Sequence, residues 1–205
     1  MNQNINPKTK AATHDKVVRL TLLAMFSAII IVMTFVPYVG YITLGVTLSI
    51  TTLHIPVIIG AITLGPVGGA VLGTVWGLSC LVYALSNGTA DAVIFTNPLI
   101  SVIPRIIVGY LIGWYYVWFK KIIKNHYAAA IVVGVLGTIT HTALVITAIN
   151  LFGGSGLAKF GAILTNIIEV AFTLNCGVEI LLCILLVPPI TKAIQSAFQK
   201  NNTNN

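Results

Sequence analysis

Charge is what this sequence has least of. Only 7% of its 205 residues are Asp, Glu, Lys or Arg, whereas a soluble domain carries roughly 25%, so a water-soluble fold is excluded. Acidic groups are the scarcest, with Asp15, Asp91, Glu169 and Glu179 the full set. Neither aspartate lies in an apolar run, which rules out the paired intramembrane aspartates of a protease. Cysteine is almost as sparse: Cys80, Cys176 and Cys183 stand alone inside apolar runs. They match no Cys-x-x-Cys or Cys/His metal spacing and read as small packing residues. A GxxxxGK[ST] phosphate loop, an HExxH zinc pair and a GxSxG nucleophile elbow are all missing. Nothing here hydrolyses ATP, and neither enzymatic activity, a cofactor nor a metal site is expected.

What the chain has in abundance is apolar sequence, at 57% of its residues. About 20 apolar residues span a hydrocarbon core of about 30 Å, and runs at 17–36, 53–64, 67–85, 99–119, 128–151 and 163–187 read as six helices. The reading is an all-α integral membrane fold, with one membrane domain over 16–198 between polar tails at 1–15 and 199–205. The first run is too deep and too long for a signal peptide and is expected to stay as an anchor. With the N-terminus inside, Lys8, Lys10, Lys16, Arg19, Lys120, Lys121, Lys124, Lys192 and Lys200 all face the cytoplasm, while Lys159 alone falls in an outer loop. Basic residues favour the cytoplasmic side, so six crossings with both termini cytoplasmic account for the net charge of +7 without nucleic acid. Trp114, Tyr115, Tyr116 and Trp118 just ahead of Lys120 form an aromatic belt at the inner interface.

One stretch departs from helical periodicity. Residues 42–50 alternate apolar and small polar side chains, a strand signal. An open strand edge cannot face lipid, so this outer segment between the first two helices is read as part of a lid; the alternative is the start of a longer second helix. Gly65, Gly69, Gly73 and Gly77 recur every four residues on one face, a groove that admits another backbone. Tight packing accounts for it more simply than a ligand does. Pro188-Pro189 is expected to end the sixth helix.

The few polar groups at membrane depth are therefore informative. Arg105 costs roughly 2.5–3.5 kcal/mol at the bilayer centre, so it must face an anionic ligand or pair with Glu169 or Glu179. Asn175 and Glu179 share a helical face, as do Asn166 and Glu169. Thr138, His141 and Thr142 cluster on the fifth helix; His141 alone would be an interior histidine, but three polar faces together argue for an internal pocket. His54 either joins that pocket or caps the second helix.

The stretch from His54 through Pro56, Gly60 and Ala61, then Leu64-Gly65-Pro66 and its glycines, then Asn97-Pro98, Ser101 and Pro104-Arg105, resembles the S-components of energy-coupling factor (ECF) vitamin transporters, and most of all the pantothenate-specific type. S-components for riboflavin, folate, pyridoxine-like and thiamine-precursor substrates share much of that scaffold. The resemblance implies a six-helix subunit of a bacterial plasma membrane. Such a subunit binds one vitamin and docks on a transmembrane coupling protein with two cytosolic ATPases. It also implies that Ala24 and Ala28 match an AxxxA contact with the coupling protein. His141 stands where the pantothenate group carries asparagine. Pantothenate has one carboxylate, an amide and two hydroxyls, so Arg105 is expected to supply the cation. Asn97, His141, Asn175, Glu179 and His54 would add hydrogen bonds, and Trp76, Tyr41 and Phe95 apolar walls, under a lid formed by residues 38–52. A stand-alone ion-coupled transporter would show inverted repeats, and no convincing pair is present.

Overall fold

The computed structural model describes residues 7–44, 48–86, 94–152 and 161–203. In chain order come α1 (Pro7–Phe35), β1 (Tyr41–Leu44), β2 (Leu48–Thr51), α2 (His54–Ser86), the one-turn α3 (Pro98–Ser101), α4 (Ile103–Ile122), α5 (His126–Phe152) and α6 (Gly161–Thr203). Among the described residues, five helical stretches are long and apolar enough to cross a membrane: Lys16–Phe35, His54–Ser86, Pro98–Ile122, His126–Phe152 and Asn175–Ala197. The architecture is helical, with a single two-stranded hairpin. Asp91 and Lys159 lie outside the described residues, as do the side chains of Asn166 and Glu169.

The second of these stretches is not a straight rod. Gly65 adopts φ 81° and ψ −173°, a left-handed φ that glycine enters without a steric penalty, and Pro66 has no N–H with which to continue the ladder. In a straight helix residues 60 and 72 would lie about 18 Å apart. Here a β-carbon on Gly60 would overlap Leu72 Cδ1, and one on Gly69 would crowd Ala61 Cβ. The chain doubles back at Gly65, so residues 54–64 and 66–86 form two arms packed on each other, matching the apolar runs at 53–64 and 67–85.

The glycine stripe explains the largest interface, between α2 and α4. A β-carbon on Gly69 would strike the Gly109 carbonyl, one on Gly73 the Arg105 carbonyl, and one on Gly77 the Val102 backbone, while Gly113 abuts Pro66. The numbers rise along one helix as they fall along the other, so the second arm of α2 and α4 run antiparallel at backbone contact. Small residues permit this approach, which in a membrane gains dispersion and weak polar contacts rather than hydrophobic burial. The close fit fixes Arg105 against the arm that carries Trp76.

One expectation is corrected. Pro188 and Pro189 do not end the last helix, because α6 runs through both of them to Thr203. The missing N–H groups cost two ladder bonds, to the carbonyls of Ile184 and Leu185; just beyond them the Thr191 hydroxyl is shared between the Val187 and Pro188 carbonyls at 2.8 and 3.0 Å. Surrounded by apolar groups, keeping the other backbone bonds inside a helix is cheaper than freeing them. At the other end, α1 begins at Pro7, well ahead of its apolar run, since Lys8, Lys10, Ala11 and Ala12 are good helix formers that extend a helix already nucleated.

The alternating stretch forms the antiparallel pair β1–β2, in the register Tyr41↔Thr51 to Leu44↔Leu48; its residues 45–47 lie outside the described set. Thr51 N donates to Glu179 Oε1 at 2.9 Å, tying β2 to α6. Tyr41 holds β1 to the second arm of α2, stacking on Tyr83 with centroids 5.1 Å apart and meeting Cys80 Sγ at 3.0 Å through its hydroxyl.

Candidate functional site

Beneath this hairpin the polar residues singled out in the sequence converge. Arg105 lies near the start of α4, and its side chain is 5% exposed. One guanidinium nitrogen, Nη1, donates to the Ile100 carbonyl at 2.5 Å. The guanidinium carbon sits 5.1 Å from the Phe95 ring centroid and 5.5 Å from that of Trp76, within cation–π range of both. Among the described residues, buried Arg105 Nε has no hydrogen-bond partner. Among the described residues no carboxylate pairs with it, and Glu179 is committed to Thr51 N.

His141 packs on the fully buried Trp76, centroids 4.7 Å apart, and lies parallel to His54 at 6.3 Å. It is 4% exposed, and among the described residues neither ring nitrogen has a hydrogen-bond partner. His54 Nε2 meets Cys183 Sγ at 3.2 Å, and that thiol meets Thr138 Oγ1 at 3.3 Å. Asn175 is buried one turn before Glu179 on α6. Loss of hydration raises the Tyr41 hydroxyl well above its ordinary range, so it stays protonated across physiological pH.

Asn97 has a different place from the rest. It is the N-cap of α3: Oδ1 accepts from Leu99 N at 3.0 Å and Nδ2 donates to the Phe152 carbonyl at 3.3 Å. Both ends of its amide are engaged in joining α3 to the end of α5. With Ser101 Oγ donating to the Phe95 carbonyl, these bonds frame the rim that carries Phe95 and Arg105. Ala24 and Ala28 are exposed on α1, far from this polar cluster in sequence, on a face shared with exposed Met25, Ile29 and Val32.

Sequence reasoning missed the cysteines, which bond Tyr41 and His54. A signal was available: Cys80 lies four residues after Trp76 and Cys183 four after Glu179, so each continues a pocket-facing stripe. Asn97 directly before Pro98 likewise carries the residue preferences of an N-cap followed by proline at the first helical position.

A buried cation without a carboxylate, beside an imidazole whose nitrogens are unspent, is an arrangement that a folded protein explains by a ligand or a functional role. A helical, membrane-embedded protein built around such a buried polar cluster belongs to the class of binding or transport subunits. The family comparison agrees: residues 18–191 match the family described as ECF transporter, substrate-specific component, and the chain belongs to that family. It is 34% identical over 189 residues to "Pantothenic acid transporter PanT" of Lactococcus lactis subsp. cremoris (strain MG1363), covering 85% of this chain and 94% of that protein. It is 37% identical over 117 residues to "Pantothenate transporter PanT" of Leuconostoc mesenteroides subsp. mesenteroides, covering 55% of this chain and 56% of that protein.

Proposed function

We propose that this chain is the pantothenate-binding subunit of an ECF transporter, held in a bacterial plasma membrane and delivering the vitamin through a transmembrane coupling protein driven by two cytosolic ATPases. The observation that carries the reading is Arg105, buried without a carboxylate partner among the described residues and flanked by Trp76, Phe95 and the unpartnered His141. The ligand carboxylate pairs with Arg105; its amide and hydroxyls meet His141, His54 and Asn175; Trp76, Tyr41 and Phe95 form the walls. Asn97 holds the rim, and Glu179 holds the hairpin. That hairpin acts as the lid, since tight binding of so small a molecule requires near-complete enclosure. Names of the two relatives support the choice of vitamin. The test is equilibrium binding to the isolated, detergent-solubilised chain: pantothenate binds tightly, whereas riboflavin, folate, pyridoxine and thiamine precursors do not. Tight binding of one of those in place of pantothenate overturns the assignment.

The two arms of α2 are two crossings in this reading, which gives six with both termini cytoplasmic. Cysteines introduced for Asn87 and Gly154 then react with an impermeant reagent from outside, and one introduced for Asn125 does not; reversed labelling refutes the topology. The exposed alanines of α1 are the contact for the coupling protein, because a flat face allows close helix approach. Changing Ala24 and Ala28 together to leucine leaves pantothenate affinity intact and abolishes uptake by the assembled transporter. Equal loss of binding would make them internal packing residues.

A further inference from the structure

A cavity that does not include the buried Arg105 cluster opens where the Gly65 reversal meets α1 and the last turns of α4. Its volume is about 550 Å³, and its lining includes Arg19, Leu64, Gly65, Val117, Lys120 and Lys121. Three cations converge there, and among the described residues no acidic one lines it. Arg19 is held in place by one guanidinium nitrogen, Nη2, which donates at 2.6 Å to the carbonyl of Leu64, the residue just before the reversal. That carbonyl lies where the helical ladder breaks and needs a donor. The bond uses a small part of a guanidinium with five N–H groups. Lys120 and Lys121 stand in the last turn of α4, where a helix favours cations. The helix end accounts for two lysines, but not for Arg19 arriving from another helix to share a cavity with them.

The flank of the cavity is what distinguishes it from a patch of solvated charge. Trp114, Val117 and Lys121 lie on one face of α4. Trp114, Val117 and Trp118 are all about half-exposed, and the two indoles stack with centroids 6.3 Å apart. Exposed tryptophans beside lysines mark the level of lipid headgroups. The cavity therefore offers cations to an anion and, next to them, an apolar aromatic strip to an acyl chain.

We propose that this cavity binds a phosphate group, supplied by the headgroup of an anionic phospholipid whose chain lies along Trp114 and Val117. The site is independent of the vitamin pocket, so its test neither relies on nor decides the pantothenate assignment. The full chain in detergent is titrated with phosphatidylglycerol, phosphatidylcholine or inorganic phosphate, and bound molecules are counted by native mass spectrometry. Wild type retains phosphatidylglycerol and not phosphatidylcholine. The double variant Lys120→Gln, Lys121→Gln weakens that retention by about tenfold or more, as two basic groups near a membrane surface imply; Lys124→Gln, removing an exposed lysine that does not line the cavity, leaves it unchanged. Both variants keep the wild-type melting temperature, which shows that they are folded. Displacement of the lipid by millimolar inorganic phosphate would assign the site to the free anion as well, whereas resistance to it assigns the site to the lipid. Equal retention of the two lipids, or an equal loss in Lys124→Gln, overturns the proposal. So does unchanged lipid retention in the double variant together with failure to copurify with the coupling protein, which would make this face a protein contact.

Discussion

Arg105→Ala weakens pantothenate binding by about 150- to 5,000-fold, the equivalent of the roughly 3–5 kcal/mol lost when one partner of a buried ion pair is removed. The expectation follows from where the guanidinium lies: 5% exposed, Nη1 committed to the Ile100 carbonyl, Nε unspent and no carboxylate bound to it among the described residues. Arg105→Lys keeps the charge but loses the planar fork, so its affinity falls between wild type and alanine. The mutation also frees the Ile100 carbonyl and the contacts to Trp76 and Phe95, so weakening alone would not identify the cause. Pantothenol, in which an alcohol replaces the carboxylate, separates the two effects. It binds wild type poorly, because it leaves Arg105 desolvated and unpaired, and it loses little more in Arg105→Ala. The coupling between the two changes, read as a cycle, is the carboxylate–guanidinium interaction itself. Equal losses for acid and alcohol, in a variant with an unchanged melting temperature, would make Arg105 a purely structural residue of the α3–α4 junction.

How much of this was legible in the sequence depended on how rare each signal is. Arg105, His141 and Glu179 stood out because membrane-depth polar groups are costly and few, and the structure gathers Arg105, Trp76, Phe95, His141 and His54 in one region. Glycine spacing told of close packing, but not that its partner was the backbone of α4 at the arginine. The Gly65-Pro66 pair divided two apolar runs, yet only the close approach of Gly60 and Leu72 shows that the chain doubles back there. Proline was over-read at 188 and 189, because its local cost is fixed by chemistry while its tolerance is set by the surroundings. Hydrophobicity concealed the cysteines' hydrogen bonds, and the capping contacts of Asn97 were readable only from its place before Pro98. In these cases a one-dimensional pattern gave the residue's face and depth, while its partner was fixed only by the fold.

Gly73→Ala should test whether packing and binding are joined as the α2–α4 interface suggests. A β-carbon at residue 73 would overlap the Arg105 carbonyl and crowd Ile106 Cα. These are backbone atoms on both sides, so no side chain can rotate away, and α4 must shift as a unit. Overpacking costs typically about 1–3 kcal/mol, and an overlap with backbone that cannot rotate away falls in the upper part of that range, above the about 1 kcal/mol a helix gains from replacing glycine by alanine. The melting temperature therefore falls. Because the clash is at Arg105 itself, the displaced helix carries the guanidinium with it, and affinity for pantothenate drops more than affinity for pantothenol. Gly177→Ala supplies the contrast: a β-carbon there meets nothing within 4 Å, so only the gain in helix propensity remains, and neither stability nor binding should decline. A Gly73→Ala variant as stable as Gly177→Ala would mean that the two helices are not at backbone contact. A variant that is destabilised but binds acid and alcohol with the same proportional loss would mean that the interface holds the bundle together without positioning Arg105.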